Sequence, residues 1–161
     1  MKKEKKSKLE SDKKRRYSAS EAGLAFKHSF YLETVWILSV IFEKKAKDFL
    51  TRIDGTFDVR GFTFDQSLKR IKFLQGTGRI PAIGKFIDLT LMDGMHKWKT
   101  SRNKLFKDIP LIHVSESRME RAAIEGIGLY KKWNKALKHI KNEMNKQGYA
   151  EERKTSEVAG E

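Results

Sequence analysis

The sequence predicts an all-α protein, an antiparallel bundle of about four helices between a disordered basic N-terminal arm and a short C-terminal tail. Three observations carry this. Apolar residues recur at steps of three and four over long stretches, the spacing that lines one helix face. The chain holds only 2 prolines in 161 residues, whereas an all-β fold would show turn signals about every ten residues. The remaining sequence is rich in Lys and Glu, which suit exposed helix positions. One domain of ordinary size fits the length, with the arm at 1–18, the bundle at 19–147 and the tail at 148–161.

The arm holds nine basic and three acidic side chains in residues 1–16, a net of +6 out of +14 for the chain. Leu9 is its only large aliphatic residue, too little apolar surface to offset the entropy of ordering it. Lys13, Lys14, Arg15, Arg16, Tyr17 and Ser18 stand where a secretory leader would carry its apolar core, so the arm does not read as a signal peptide.

The first helix is expected from Ser20, as N-cap, to about Ile53. Leu24, His28, Tyr31, Val35, Leu38, Phe42, Lys45, Phe49 and Ile53 line its core face. Between Phe30 and Phe42 only Glu33, Thr34 and Ser39 interrupt the apolar run. That run is much shorter than the roughly 20 residues that span a bilayer, so it reads as the central helix of a bundle and predicts no membrane partner. Asp54 to Phe64 carries two glycines and alternates aromatic with polar residues, a loop or short hairpin outside the bundle. Asp54, Asp58 and Asp65 lack calcium-loop spacing and read as turn and cap residues. Asp65 is expected to cap a helix from Gln66 to about Gln75 that buries Leu68, Ile71, Phe73 and Leu74.

Gly76 to Pro81 resembles a phosphate loop only superficially, because Gly84 and Lys85 are followed by Phe86 where a Walker loop needs Ser or Thr. It reads as a helix stop, with Pro81 opening a helix to about Ile109. The apolar line of that helix is Ile83, Ile87, Leu91, Met95, Trp98, Leu105 and Ile109, with Arg102 inside it. Pro110 ends it. The last helix is expected from Ser115 to Gln147, with Ala123, Gly126, Tyr130, Trp133, Leu137, Ile140 and Met144 as a coiled-coil-like seam. Tyr130 and Trp133 read as core within it.

The composition excludes several chemistries. With no cysteine there is no disulfide, thiolate ligand or thiol nucleophile, and a cytoplasmic location is the default. His28, His96, His113 and His139 form no His-x-x-x-His pair, so no metal site is expected, and no motif calls for a cofactor.

The excess positive charge points instead to an anionic partner, RNA or another nucleic acid. Residues 79–108 and 116–147 each carry a net +4. In the last helix Lys131, Lys135, Lys138 and Lys141 or Asn142 fall at steps of three and four and make a basic ridge beside the apolar seam. Lys14, Arg15 and Arg16 of the arm, and Lys99 and Lys104 near Arg102, are further candidate contacts. Arg102 itself must snorkel, pair with an acid such as Glu33, or meet an anion with its planar fork.

The stretch from Ser67 to Asp108, a short amphipathic helix, a glycine link and a helix ending HKWKTSRNKLFKDIP, resembles the core of the HEPN superfamily of prokaryotic helical-bundle proteins. The family pattern is an Arg, a polar residue such as Asn, and a His after four to six intervening residues. Arg102 and Asn103 match its first two elements. The resemblance implies metal-independent ribonuclease chemistry shared across a homodimer, in a defence or toxin setting with an antitoxin as a further partner, and candidate catalytic residues Arg102, Asn103 and Lys107. Lys107 stands at the first position where the pattern allows His. A lysine at its reference pKa of about 10.4 is a poor general base at neutral pH, so the resemblance implies RNA or nucleotide binding more than cleavage.

Overall fold

Ser18, not Ser20, starts the first helix. Its Oγ accepts from the Glu21 backbone N–H at 3.3 Å, and a Glu21 carboxylate oxygen accepts from the Ser18 N–H at 2.6 Å, a reciprocal capping box. The computed structural model describes residues 17–53, 58–109 and 114–158, with side chains up to residue 146. The basic arm to Arg16, the 54–57 part of the loop and His113 lie outside the described residues.

The long first helix expected from the periodicity is two helices, α1 (Ala19–Lys27) and α2 (Tyr31–Ile53). Between them the Ser29 N–H donates to the Phe26 carbonyl at 3.0 Å and the Phe30 N–H to the Ala25 carbonyl at 2.9 Å. Those two bonds, with Ser29 at φ 61°, are a Schellman closure built on serine rather than glycine. A serine there costs roughly 1 kcal/mol in backbone strain. The sequence hides such a stop because it lacks the usual glycine. α1 then folds back on α2, burying Ala22 and Ala25, while Leu24 is exposed instead of lining the core.

α2 is the central helix. Val35, Leu38, Phe42, Phe49 and Leu50 are buried, but Phe30, Trp36 and Val40 keep one face open. The chain re-enters at Val59, which is buried, so the end of the 54–64 loop is anchored in the core and forms no strand among the described residues. Helix α3 (Phe64–Thr77) is capped by Thr63 in a second capping box with Gln66, rather than by Asp65. This puts Phe64 inside, stacked on Phe42 with ring centroids 6.0 Å apart. Leu68, Ile71 and Leu74 are buried as expected, whereas Phe73 is exposed.

Gly78 ends α3 with φ 64°, and Pro81 opens α4 (Pro81–Phe86). The helix expected from Pro81 to Ile109 breaks at Ile87 and Asp88. The Asp88 carboxylate accepts from the Leu91 N–H at 2.6 Å and so starts α5 (Leu89–Asp108). The break leaves the apolar line intact, because the extended Ile87 remains fully buried beside Ile83 and Leu91. Gln75 fixes the junction by donating from Nε2 to the Ile87 carbonyl at 2.6 Å. Ile109, the last expected member of the line, is exposed.

Helix α6 (Glu116–Val158) continues past Gln147, the end expected from the sequence. Its seam faces the core: Ala123, Trp133 and Ile140 are fully buried, with Tyr130, Leu137 and Met144 packed at the margin. The bundle is only partly antiparallel. α2 and α6 run in the same direction, since Tyr31 meets Glu120, Phe42 meets Tyr130 and Lys45 meets Asn134. α5 runs against both, as Trp36 meets Phe106, Phe42 meets Trp98, and Asp108 meets Arg118. Trp98 sits where the three long helices converge. Its ring packs on Phe42 with centroids 5.1 Å apart, and its Nε1–H donates to the Ala122 carbonyl at 2.8 Å. Two extra short helices, α1 and α4, thus replace the simple four-helix expectation.

Candidate nucleic-acid interface

Arg102 lies on α5 one turn after Trp98, and its guanidinium sits 6.0 Å from the Trp98 ring centroid. It is half-buried, and its buried Nε has no hydrogen-bond partner among the described residues. Glu33 is not its counter-ion. Burial pushes the Arg102 pKa down, and the charge of Glu43 offsets part of that effect. Glu43 itself pairs with Lys47 at 2.8 Å. Arg102 is therefore held by aromatic packing, with its charge only partly compensated. Asn103, Lys104 and Lys107 are exposed on the outer side of the same helix end.

Lys99 does not join that group as a free cation. Its ammonium pairs with Asp65 of α3, whose carboxylate also holds Lys69 at 2.8 Å. Hydrogen bonds from Lys69 and Lys99 draw the Asp65 carboxyl down from 3.8 to about 2. His96 Nδ1 approaches the same carboxylate to 3.9 Å. Asp65 is thus the hub that ties α3 to α5, and Lys99 belongs to the scaffold.

The basic ridge on α6 has a different character. Lys131, Lys135, Lys138 and Lys141 are all exposed, and Lys132 joins them. None of the five forms an ion pair among the described residues. Four of them line two clefts, one on each side of α6. The first, of about 530 Å³, opens between α6 and the C-terminal half of α2. Lys138 and Lys141 there face Lys45, Asp48 and Arg52 across a floor that includes Phe49, Ile53, Leu137 and Met144. Lys45 is positioned by donating to Asn134 Oδ1 at 2.9 Å, its ammonium 5.7 Å from the Tyr130 ring centroid. The second cleft, of about 400 Å³, lies between α6 and the α4–α5 junction and is lined by Lys85, Phe86, Asp88, Lys132, Lys135 and His139 among others.

Sequence reasoning found the α6 lysines because their spacing is local. It missed Lys132, which lies off the ridge spacing, and Lys45, Arg52 and Lys85, which only the fold brings to the same clefts. One signal was legible: Lys45 interrupts an apolar stripe, the same oddity that singles out Arg102. Tyr130 is partly buried, and burial raises its pKa; Trp133 is fully enclosed and offers no face for stacking. Among the described residues no cluster of His, Asp and Glu has the makings of a metal site, and no helix is long and apolar enough to cross a membrane. Compared with known proteins, the chain matches no family model, no curated protein and no solved structure.

Proposed function

We propose that the bundle is a nucleic-acid-binding module that holds a phosphate backbone against α6 and does not cut it. The observation that supports this most directly is the set of five exposed lysines, Lys131, Lys132, Lys135, Lys138 and Lys141, none with a carboxylate partner among the described residues. Lys47, Lys69 and Lys85 pair with Glu43, Asp65 and Glu143, and although single lysines such as Lys44, Lys72 and Lys97 are also exposed without an ion pair among the described residues, the α6 set stands out by its density along one helix. Cations left without an ion-pair partner along one helix keep most of their value for an external anion, and phosphate contacts by lysine carry affinity without sequence preference.

Replacing all five with glutamine tests the reading. Affinity for labelled RNA and DNA oligonucleotides is expected to collapse at low salt. For single strands each lost phosphate contact removes roughly 0.7 from the slope of log affinity against log salt, so the slope flattens by up to about 3.5. Unchanged affinity and slope in the glutamine variant would overturn the proposal.

A second reading places an RNA site at Arg102, Asn103 and Lys107, following the HEPN resemblance. The charge of Arg102 favours it, because the half-buried guanidinium forms no ion pair among the described residues and Glu43 offsets its burial only in part, which leaves a cation that an anionic ligand can compensate. With lysine where the ribonuclease pattern has histidine, this site too is one for binding. Arg102→Ala is then expected to lower RNA affinity with the α6 lysines intact; equal affinity in the variant and the natural chain removes this reading.

A further inference from the structure

The second cleft carries a feature that phosphate binding does not use. Phe86, the last residue of α4, and His139 of α6 stack with ring centroids 5.2 Å apart and planes 16° from parallel. Phe86 covers one face of the imidazole while His139 as a whole stays exposed, in a cleft it shares with Lys132, Lys135 and the Asp88 carboxylate. Lys85 approaches the Phe86 ring to 5.1 Å and is anchored by Glu143 at 3.5 Å, which fixes one rim of the cleft. Lys132 and Lys135 have no such anchor and remain available to an anion.

We infer that His139, backed by Phe86, is a stacking platform for one unpaired nucleobase, whose flanking phosphates are taken by Lys132 and Lys135; this rests on the nucleic-acid reading above. A flat π-face next to two uncompensated cations matches the two parts of a nucleotide, and a cleft of about 400 Å³ admits a single base. A duplex seals its base faces within its own stack and presents only its backbone outward. The platform therefore contributes to binding a single strand and nothing to binding a duplex. It is sequence-tolerant, because every base has a π-face.

The test compares a single-stranded oligonucleotide with its duplex, using the full chain. His139→Ala is expected to weaken single-strand binding about fivefold or more while leaving duplex binding unchanged, and His139→Phe to restore it. His139 is exposed, so the fold tolerates both changes, which circular dichroism checks. Unchanged single-strand affinity in His139→Ala overturns the platform while the lysine ridge stands. Loss of both affinities in His139→Ala also overturns it, because the residue would then be acting as a general support. Absence of any nucleic-acid binding by wild type removes the ridge and the platform together.

Discussion

Gly126 lets α6 lie close against Leu38 and Trp98, and adding one methyl group there measures how rigid that contact is. A Cβ at this position would sit 2.9 Å from Leu38 Cδ1 and 2.9 Å from both Cε2 and Cζ2 of Trp98. Two of the three atoms belong to a ring that cannot retreat. Trp98 is held by its bond to the Ala122 carbonyl, one turn away on the same helix, and is backed by Phe42. By helix propensity alone, alanine for glycine stabilises by about 1 kcal/mol. Overpacking a filled core costs about 1–3 kcal/mol, so Gly126→Ala is expected to lose about 1 kcal/mol net. Gly128 provides the internal control. It lies in the same helix with nothing within 4 Å of a Cβ, and Gly128→Ala is expected to gain nearly the full propensity term. The two alanine variants should therefore differ by about 2 kcal/mol in urea unfolding. A Gly126→Ala protein as stable as Gly128→Ala would show that the three-helix contact around Trp98 is loosely packed and would refute the reasoning.

The remaining predictions concern charge. Asp65→Asn is expected to cost at most about 1 kcal/mol at neutral pH, because the ion pairs are partly solvated. Since the folded carboxyl titrates at about 2 rather than 3.8, its contribution is complete above the unfolded value and is lost as pH falls toward 2. Thermal unfolding of Asp65→Asn should therefore vary less than wild type between about pH 4 and pH 2; superimposable acid limbs would contradict the hub. Arg102→Met keeps the stem against Trp98 and removes a charge that is costly to bury, so its stability is expected within about 1 kcal/mol of wild type or above it. A loss beyond about 2 kcal/mol in urea unfolding would reveal a counter-ion for Arg102 that matters to the fold.

The core was legible from spacing where burial repeats along a single helix. Val35, Leu38 and Phe42, the line from Ile83 to Leu105, and the α6 seam all face inward as their periodicity requires. The helix ends were less legible, because periodicity continues across a break when both segments keep the same side inward. At Ile87 and Asp88 the signal was present in the Asp cap; at Ser29 the αL position carries no glycine to announce it. Phe73 and Leu24 are exposed because the faces they occupy find no partner helix. The parallel pairing of α2 and α6 depends on α3, α4 and α5 intervening in the chain, which local pattern cannot see. Among the candidate site residues, the lysines of α6 keep the exposure their ridge implies. Lys99 is withdrawn by Asp65, an acid 34 positions earlier that reads locally as a cap.

The three tryptophans occupy very different surroundings: Trp98 and Trp133 are enclosed, while Trp36 is more than half exposed, its ring edge-on to Phe106. Optically this divides the chain. Aqueous quenchers reach one indole from outside, so a quenchable and a protected emission coexist in a single spectrum. The protected signal follows the interior around α6, and the quenchable one follows the α2–α5 surface. The natural chain thus carries separate fluorescent markers for its interior and for one outer face, without any introduced label.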